Sequence, residues 1–90
     1  KMQNAFSIIE TYPNPASNYL NIDIQSYTPS DVSIKIYNNI GYLIQENNFD
    51  IASGKNTITV ELKNKLSDGI YFVKINSDTK SFTKKLLIQN

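Results

Sequence analysis

The stretch LNIDIQ at residues 20–25 alternates apolar and polar side chains at every step, and this pattern decides the fold class. Successive side chains of a β-strand point to opposite faces, so a period of two indicates a strand with one buried and one solvated face. The same alternation recurs at residues 32–37, 57–62 and 71–76. Four such segments predict antiparallel sheets that are wetted on one side.

Three weaker segments extend this pattern, at residues 6–10, 42–50 and 82–88. Clusters of Pro, Gly, Asn, Asp and Ser separate all seven segments, roughly every ten residues, as turns between short strands do. No stretch repeats its apolar residues at the 3.6-residue period of a helix. The sequence therefore predicts an all-β, seven-stranded antiparallel immunoglobulin-like β-sandwich with essentially no long helix.

The composition removes most catalytic chemistry. The chain has no His and no Cys, which excludes an imidazole base, a thiolate nucleophile and the usual zinc ligands. Its eight acidic residues are scattered singly, and three glycines are too few for a phosphate-binding loop. We therefore predict a domain that is not an enzyme and that uses no metal or cofactor.

The charge and hydropathy also limit the partners. The net charge is +1 and every basic residue is Lys, so the planar guanidinium that reads guanine and phosphate is missing. No apolar run approaches the roughly 18–20 residues of a membrane span. The first ten residues, KMQNAFSIIE, are too short and polar for a secretory signal peptide. We expect no nucleic-acid binding and no direct membrane insertion.

Four motifs follow one another in a fixed order. They are YPNPASNYLNI at residues 12–22, IYNNIGYLI at 36–44, LSDGIYFVKI at 66–75 and TKKLLI at 83–88. Each motif is weak alone, but the combination resembles the type A C-terminal sorting domain of the type IX secretion system, also called the Por secretion system. The resemblance runs from about residue 6 to residue 90, with residues 1–5 expected as a linker or processing segment.

The resemblance implies a role in protein export from a Gram-negative bacterium. Such domains follow an N-terminal passenger domain and direct it across the outer membrane. The expected partners are the type IX secretion machinery, including an outer-membrane shuttle protein and a sortase-like protease that removes the domain. The expected location is the periplasm in transit, and then the cell surface or the medium.

The resemblance also assigns candidate residues for the sorting signal. They are Pro13, Asn14, Pro15, Gly41, Leu66, Gly69, Tyr71, Lys84, Lys85, Leu86 and Ile88. Each also has a structural interpretation. The prolines stiffen a turn, and the glycines fit positive-φ or tightly packed turn positions. The lysines form a solvated edge that discourages pairing with another sheet. A tyrosine at the start of a late sandwich strand is commonly buried with its hydroxyl at the rim. The structural and functional interpretations are compatible.

Two other functions stay open at this point. Aromatic side chains on a flat sheet can stack on sugars, so a carbohydrate-binding module is one alternative, although the chain has no Trp. The aromatic residues expected to face outward are Tyr19, Tyr27, Tyr37, Tyr42, Phe49 and Phe72. The second alternative is a structural immunoglobulin-like or fibronectin-like spacer.

Overall fold

A computed structural model describes residues 7–63, 65–78 and 80–90 of the chain. These residues form seven strands: β1 (Ser7–Tyr12), β2 (Tyr19–Ser26), β3 (Ser30–Tyr37), β4 (Leu43–Ile51), β5 (Gly54–Glu61), β6 (Gly69–Asn76) and β7 (Ser81–Ile88). The described ranges contain no helix, as the absence of a 3.6-residue period predicts, and so none with the length and apolarity to cross a membrane.

The strands form two antiparallel sheets. One has three strands in the order β1-β2-β5, and the other has four in the order β4-β3-β6-β7. The core lies between them, because the alternating apolar residues of every central strand point inward. Ile22 and Ile24 of β2 and Ile75 of β6 are each 0% exposed, and burying a side chain of this size contributes roughly 1.5–3 kcal/mol. The predicted sandwich is confirmed.

The predicted strand count is one too low. An eighth β segment consists of Ala16 alone, which forms a parallel bridge with Ile88 of β7. The chain leaves the three-stranded sheet after β1, turns at Pro13 and Pro15, and reaches the edge of the other sheet. A single bridged residue has no alternation of its own, so the periodicity could not reveal it.

Several segment boundaries also differ from the sequence-based expectation, including those of the first and fourth strands. The fourth strand begins at Leu43, and Tyr42 belongs to the preceding turn because its amide and carbonyl bond to Asn38. The first strand extends to Tyr12, beyond the predicted end at residue 10. Its predicted start at Phe6 and the linker predicted at residues 1–5 lie outside the described residues.

Candidate functional site

The antiparallel order brings most of the motif residues to one end of the sandwich. We call this the closure end: it comprises the loop residues 13–18, 38–42, 62–63 and 65–68, together with the C-terminal residues 89–90. The turns that follow β2, β4 and β6 lie at the opposite end, which we call the far end. Segments far apart in the sequence, such as those of Asn14 and Leu87 at a separation of 73 positions, therefore become neighbours at the closure end.

A short strap at residues 14–16 lies along the edge of β7. The Ala16 amide donates to the carbonyl of Leu87 at 2.8 Å, and the Gln89 amide donates to the carbonyl of Ala16 at 2.9 Å. The side-chain oxygen of Asn14 accepts the Leu87 amide at 3.1 Å. Peptide bonds before both Pro13 and Pro15 are cis. The strap thus satisfies edge groups of β7 that a sheet edge would otherwise leave open.

The loop before β6 is held by the hydroxyl of Tyr71. This hydroxyl donates to the carbonyl of Ser67 at 2.8 Å, while the ring is buried and only 7% exposed. The arrangement is that of the tyrosine corner of immunoglobulin-like sandwiches, in which the hydroxyl bonds to backbone a few residues upstream. Gly69 begins the strand at a φ of 150°, which a side chain rarely tolerates. The structural interpretations of Tyr71 and Gly69 are confirmed.

Asn90 ties the C-terminus to the same loop. Its side-chain amide donates to the Leu66 carbonyl at 2.7 Å and to Asp68 Oδ1 at 2.9 Å, and its backbone amide donates to the same Oδ1 at 3.0 Å. These donors stabilise the ionised carboxylate and hold the pKa of Asp68 below its usual value. The end of β7 is therefore held by hydrogen bonds to the strap on one side and to this loop on the other.

The turn that contains Gly41 adjoins the loop before β6 and the first residues of that strand. The Asn38 side-chain oxygen accepts the amides of Ile40 and Tyr42 at 3.0 and 2.9 Å, and Gly41 has a φ of 94°. Positive φ at this position was one of the predicted alternatives, and it is confirmed. Together the turn and the loop line a shallow, open depression.

The remaining candidates have different surroundings. Leu86 and Ile88 are 2% and 1% exposed, so their side chains belong to the core. Lys85 lies on the outer face of the four-stranded sheet, in a groove shared with Asn14, Ile70 and Leu87. Lys84, the residue before Lys85 on β7, is exposed and stands opposite Val73. The structure thus groups the candidates around the closure end, and their role in sorting stays a prediction.

Sequence reasoning missed three residues of this site: Ala16, Asp68 and Asn90. All three contribute through bonds to residues that lie 22 or more positions away, so no local spacing identifies them. The only available signal was that Asp68 and Ala16 stand inside the quoted motifs. Among the described residues, no group of three or more acidic side chains is arranged to hold a metal ion.

The aromatic residues do not form one sugar-binding platform within the described ranges. Tyr37 and Phe72 are cross-strand neighbours on the outer face of the four-stranded sheet, but Tyr19 belongs to the other sheet and Tyr27 to the far end. Phe49 was expected to face outward, and this is wrong. It pairs with the buried Val32 and packs against the core.

Comparison with known families decides the assignment. Residues 10–89 match the family described as the secretion system C-terminal sorting domain. The chain belongs to this family. The prediction made from the four motifs is confirmed, and the domain is a type IX secretion sorting domain.

Two further comparisons concern individual proteins. Dimeric latent PorU from Porphyromonas gingivalis is similar in structure, with a TM-score of 0.68, 20% sequence identity and coverage of 93% of this chain. This chain spans 9% of the length of the PorU chain. At 20% sequence identity, the similarity supports a shared fold and nothing further. A comparison with curated proteins finds no match. Family membership implies that the protein carrying this domain is secreted or displayed at the cell surface.

Proposed function

We propose that this domain directs an N-terminal passenger across the outer membrane and that the closure end carries the sorting signal. The observation that supports this is convergence. Motif residues from three distant segments, among them Asn14, Gly69 and Lys85, come together at this end. The proposal assigns no catalytic step to the domain.

A folded tag is recognised through a surface whose geometry is fixed before binding. Ordering a segment at the moment of binding costs roughly 0.5–1.5 kcal/mol for each immobilised flexible side chain, and a preformed surface avoids that cost. The strap and the Asn90 contacts hold the terminus in place without a partner. We therefore assign recognition, in the periplasm, to the folded closure end rather than to an extended C-terminal peptide.

Processing is the second part of the proposal. A sortase-like protease cuts within residues 1–5, ahead of β1, and releases the passenger to the cell surface or the medium. Mass spectrometry of the released passenger and domain tests this step. Cleavage between β1 and β7 would contradict it, because such a cut would divide the sandwich.

A fusion experiment tests the sorting function itself. Residues 1–90 are fused behind a signal peptide and a fluorescent protein, and the fusion is expressed in type IX-competent cells and in an isogenic secretion-defective strain. We expect fluorescence at the surface or in the medium of the competent cells only. Periplasmic retention in both strains would refute the proposal and favour a sugar-binding or spacer module, with a glycan array as the next measurement.

A further inference from the structure

Apolar side chains are concentrated on one part of the protein surface. Among the described residues, eight large apolar side chains are exposed, and six of them lie on the four-stranded sheet or in its β3–β4 turn. These six are Ile40, Tyr42, Leu43, Ile70, Phe72 and Leu87. The other two, Tyr19 and Tyr27, lie on the three-stranded sheet and beyond its far end.

Four of the six share the outer face of the four-stranded sheet. Tyr37 stands opposite Leu43 on one side and opposite Phe72 on the other, and Ile70 stands opposite Leu87. We call the surface formed by Leu43, Tyr37, Phe72, Ile70 and Leu87 the outer patch. A solvated sheet face normally carries polar side chains, and contiguous exposed apolar residues mark interaction sites.

Lysines border the outer patch. Lys85 stands opposite Phe72, while Lys35 and Lys74 stand directly opposite each other one row further along the face. Like charges in directly opposed positions destabilise a sheet. None of the three forms an ion pair with a carboxylate of the described residues, although Glu46 stands opposite Lys35 on β4. The isolated domain thus keeps a net positive charge beside an exposed apolar surface.

We propose that the outer patch and its three lysines bind an acidic, partly apolar surface of a protein of the secretion machinery. Carboxylates of the partner meet Lys35, Lys74 and Lys85, and its apolar side chains cover Phe72 and Leu87. The inference rests on the proposed sorting function and identifies the surface through which that function acts.

A second copy of the chain fits this surface less well. Asp31 and Asp50 form an acidic cross-strand pair on β3 and β4, about 13 Å from Lys35 along β3 at about 3.3 Å per residue. A reversed copy would place that pair over the lysines, but the outer patch would then project past the end of the partner's sheet. The patch would stay exposed, so charge pairing between copies does not explain it.

Two pairs of substitutions test the inference in the fluorescent fusion. Phe72→Ser with Leu87→Ser removes the centre of the outer patch, and Tyr19→Ser with Tyr27→Ser is its control. Lys35→Glu with Lys74→Glu reverses the charge and keeps the like-charge repulsion between these two positions, while it adds repulsion between position 35 and Glu46. Lys55→Glu with Lys80→Glu, at exposed positions beside the far end, is the matched control. Thermal unfolding of the purified chains compares their stability.

We expect each outer-patch double variant to lower the secreted fraction by about tenfold or more, the effect of about 1.4 kcal/mol of lost binding free energy. Each control should remain within about twofold of the unchanged fusion, since exposed sites away from an interface contribute little. Equal secretion of patch and control variants would overturn the inference. Failure of the unchanged fusion in competent cells would instead refute the sorting function, so the two failures are distinguishable.

The class of partner is tested with the purified chain. Sedimentation should give a monomer, and vesicles containing phosphatidylglycerol should not bind it. A dimer that Phe72→Ser with Leu87→Ser dissociates would assign the outer patch to a second copy. Vesicle binding that Lys35→Glu with Lys74→Glu abolishes would assign it to a lipid surface. Either result would overturn the assignment to an acidic protein.

Discussion

The closure end of the sandwich has, besides local turn bonds, hydrogen bonds between segments that are distant in the sequence. At the closure end, Leu87 bonds to Asn14 across 73 positions of the chain, and Asn90 bonds to Leu66 across 24. At the far end, the bonds made by Ser26 and Asn56 span two to four positions. The far end reverses the chain locally, whereas the closure end joins the beginning of the domain to its end.

This difference bears on what a secretion machine can recognise. Bringing distant positions together costs entropy that rises with the logarithm of the loop length, so the long-range contacts of the closure end exist only in the folded domain. The far-end turns can form in short segments by themselves. A receptor that binds the closure end therefore accepts the folded tag and ignores an unfolded one.

The largest stability effect is expected for Tyr71→Phe at the closure end. The change leaves the Ser67 carbonyl without the hydroxyl that donates to it, and losing such a bond costs roughly 1–3 kcal/mol of unfolding free energy. Chemical denaturation measures the loss. Tyr19→Phe, at a side chain that is 45% exposed, is the control and should change stability by less than about 0.5 kcal/mol. Equal stability of the two variants would contradict the role given to the hydroxyl.

A smaller effect is expected for Asn14→Ala, with Asn56→Ala as its matched far-end control. Each side-chain oxygen accepts one backbone amide, at 3.1 and 3.2 Å respectively. Asn14→Ala should raise the hydrogen exchange rates of Ala16, Leu87 and Gln89 together by about tenfold, because the strap opens as one unit.

In the control, Asn56→Ala should raise exchange at Ala52 and leave the strap unchanged, since its bonds are local. If Asn14→Ala altered only the Leu87 amide, the strap would not be a cooperative unit. The contrast between the two ends would then be lost.

The smallest effects are expected from pH, with opposite signs at the two ends. The pKa of Asp68 is lowered by the Asn90 amides, so its stabilisation is present above the unfolded-state pKa and is lost as the pH falls through the folded pKa. The pKa of Asp31 is raised by the hydrogen bond and the charge of Asp50. The repulsion between the two ionised carboxylates lowers the unfolding free energy. This loss is absent at low pH and develops as the pH rises through the carboxyl range.

Two neutral variants separate these effects. At pH 7, Asp68→Asn should lower the unfolding free energy and Asp31→Asn should raise it, and both differences should shrink below the carboxyl range. Unfolding curves measured from acid to neutral pH give the comparison. Shifts of the same sign in both variants would contradict the electrostatic assignment.

Sequence reasoning predicted what short-range patterns determine. Alternation at residues 20–25 and 71–76 placed the core residues correctly. Turn chemistry predicted positive-φ or tightly packed turn positions for Gly41 and Gly69, and both have positive φ. It could not predict the strap, because Ala16 meets Ile88 across nearly the whole chain.

The same limit explains two other misses. Phe49 points inward because β4 pairs with β3 in a register that its own polar sequence does not specify. The outer patch arises only when β3, β6 and β7 stand side by side, so no single strand shows it.

The central claim is that the closure end, rather than the sandwich as a whole, carries the sorting signal. The most direct test is secretion of the fluorescent fusion carrying Asn14→Ala beside the same fusion carrying Asn56→Ala, in type IX-competent cells. Both variants should fold, because each removes only exposed hydrogen bonds of about 1 kcal/mol apiece, one for Asn14 and three for Asn56. The account predicts that Asn14→Ala lowers the secreted fraction severalfold and that Asn56→Ala leaves it unchanged. Equal secretion of the two would contradict it.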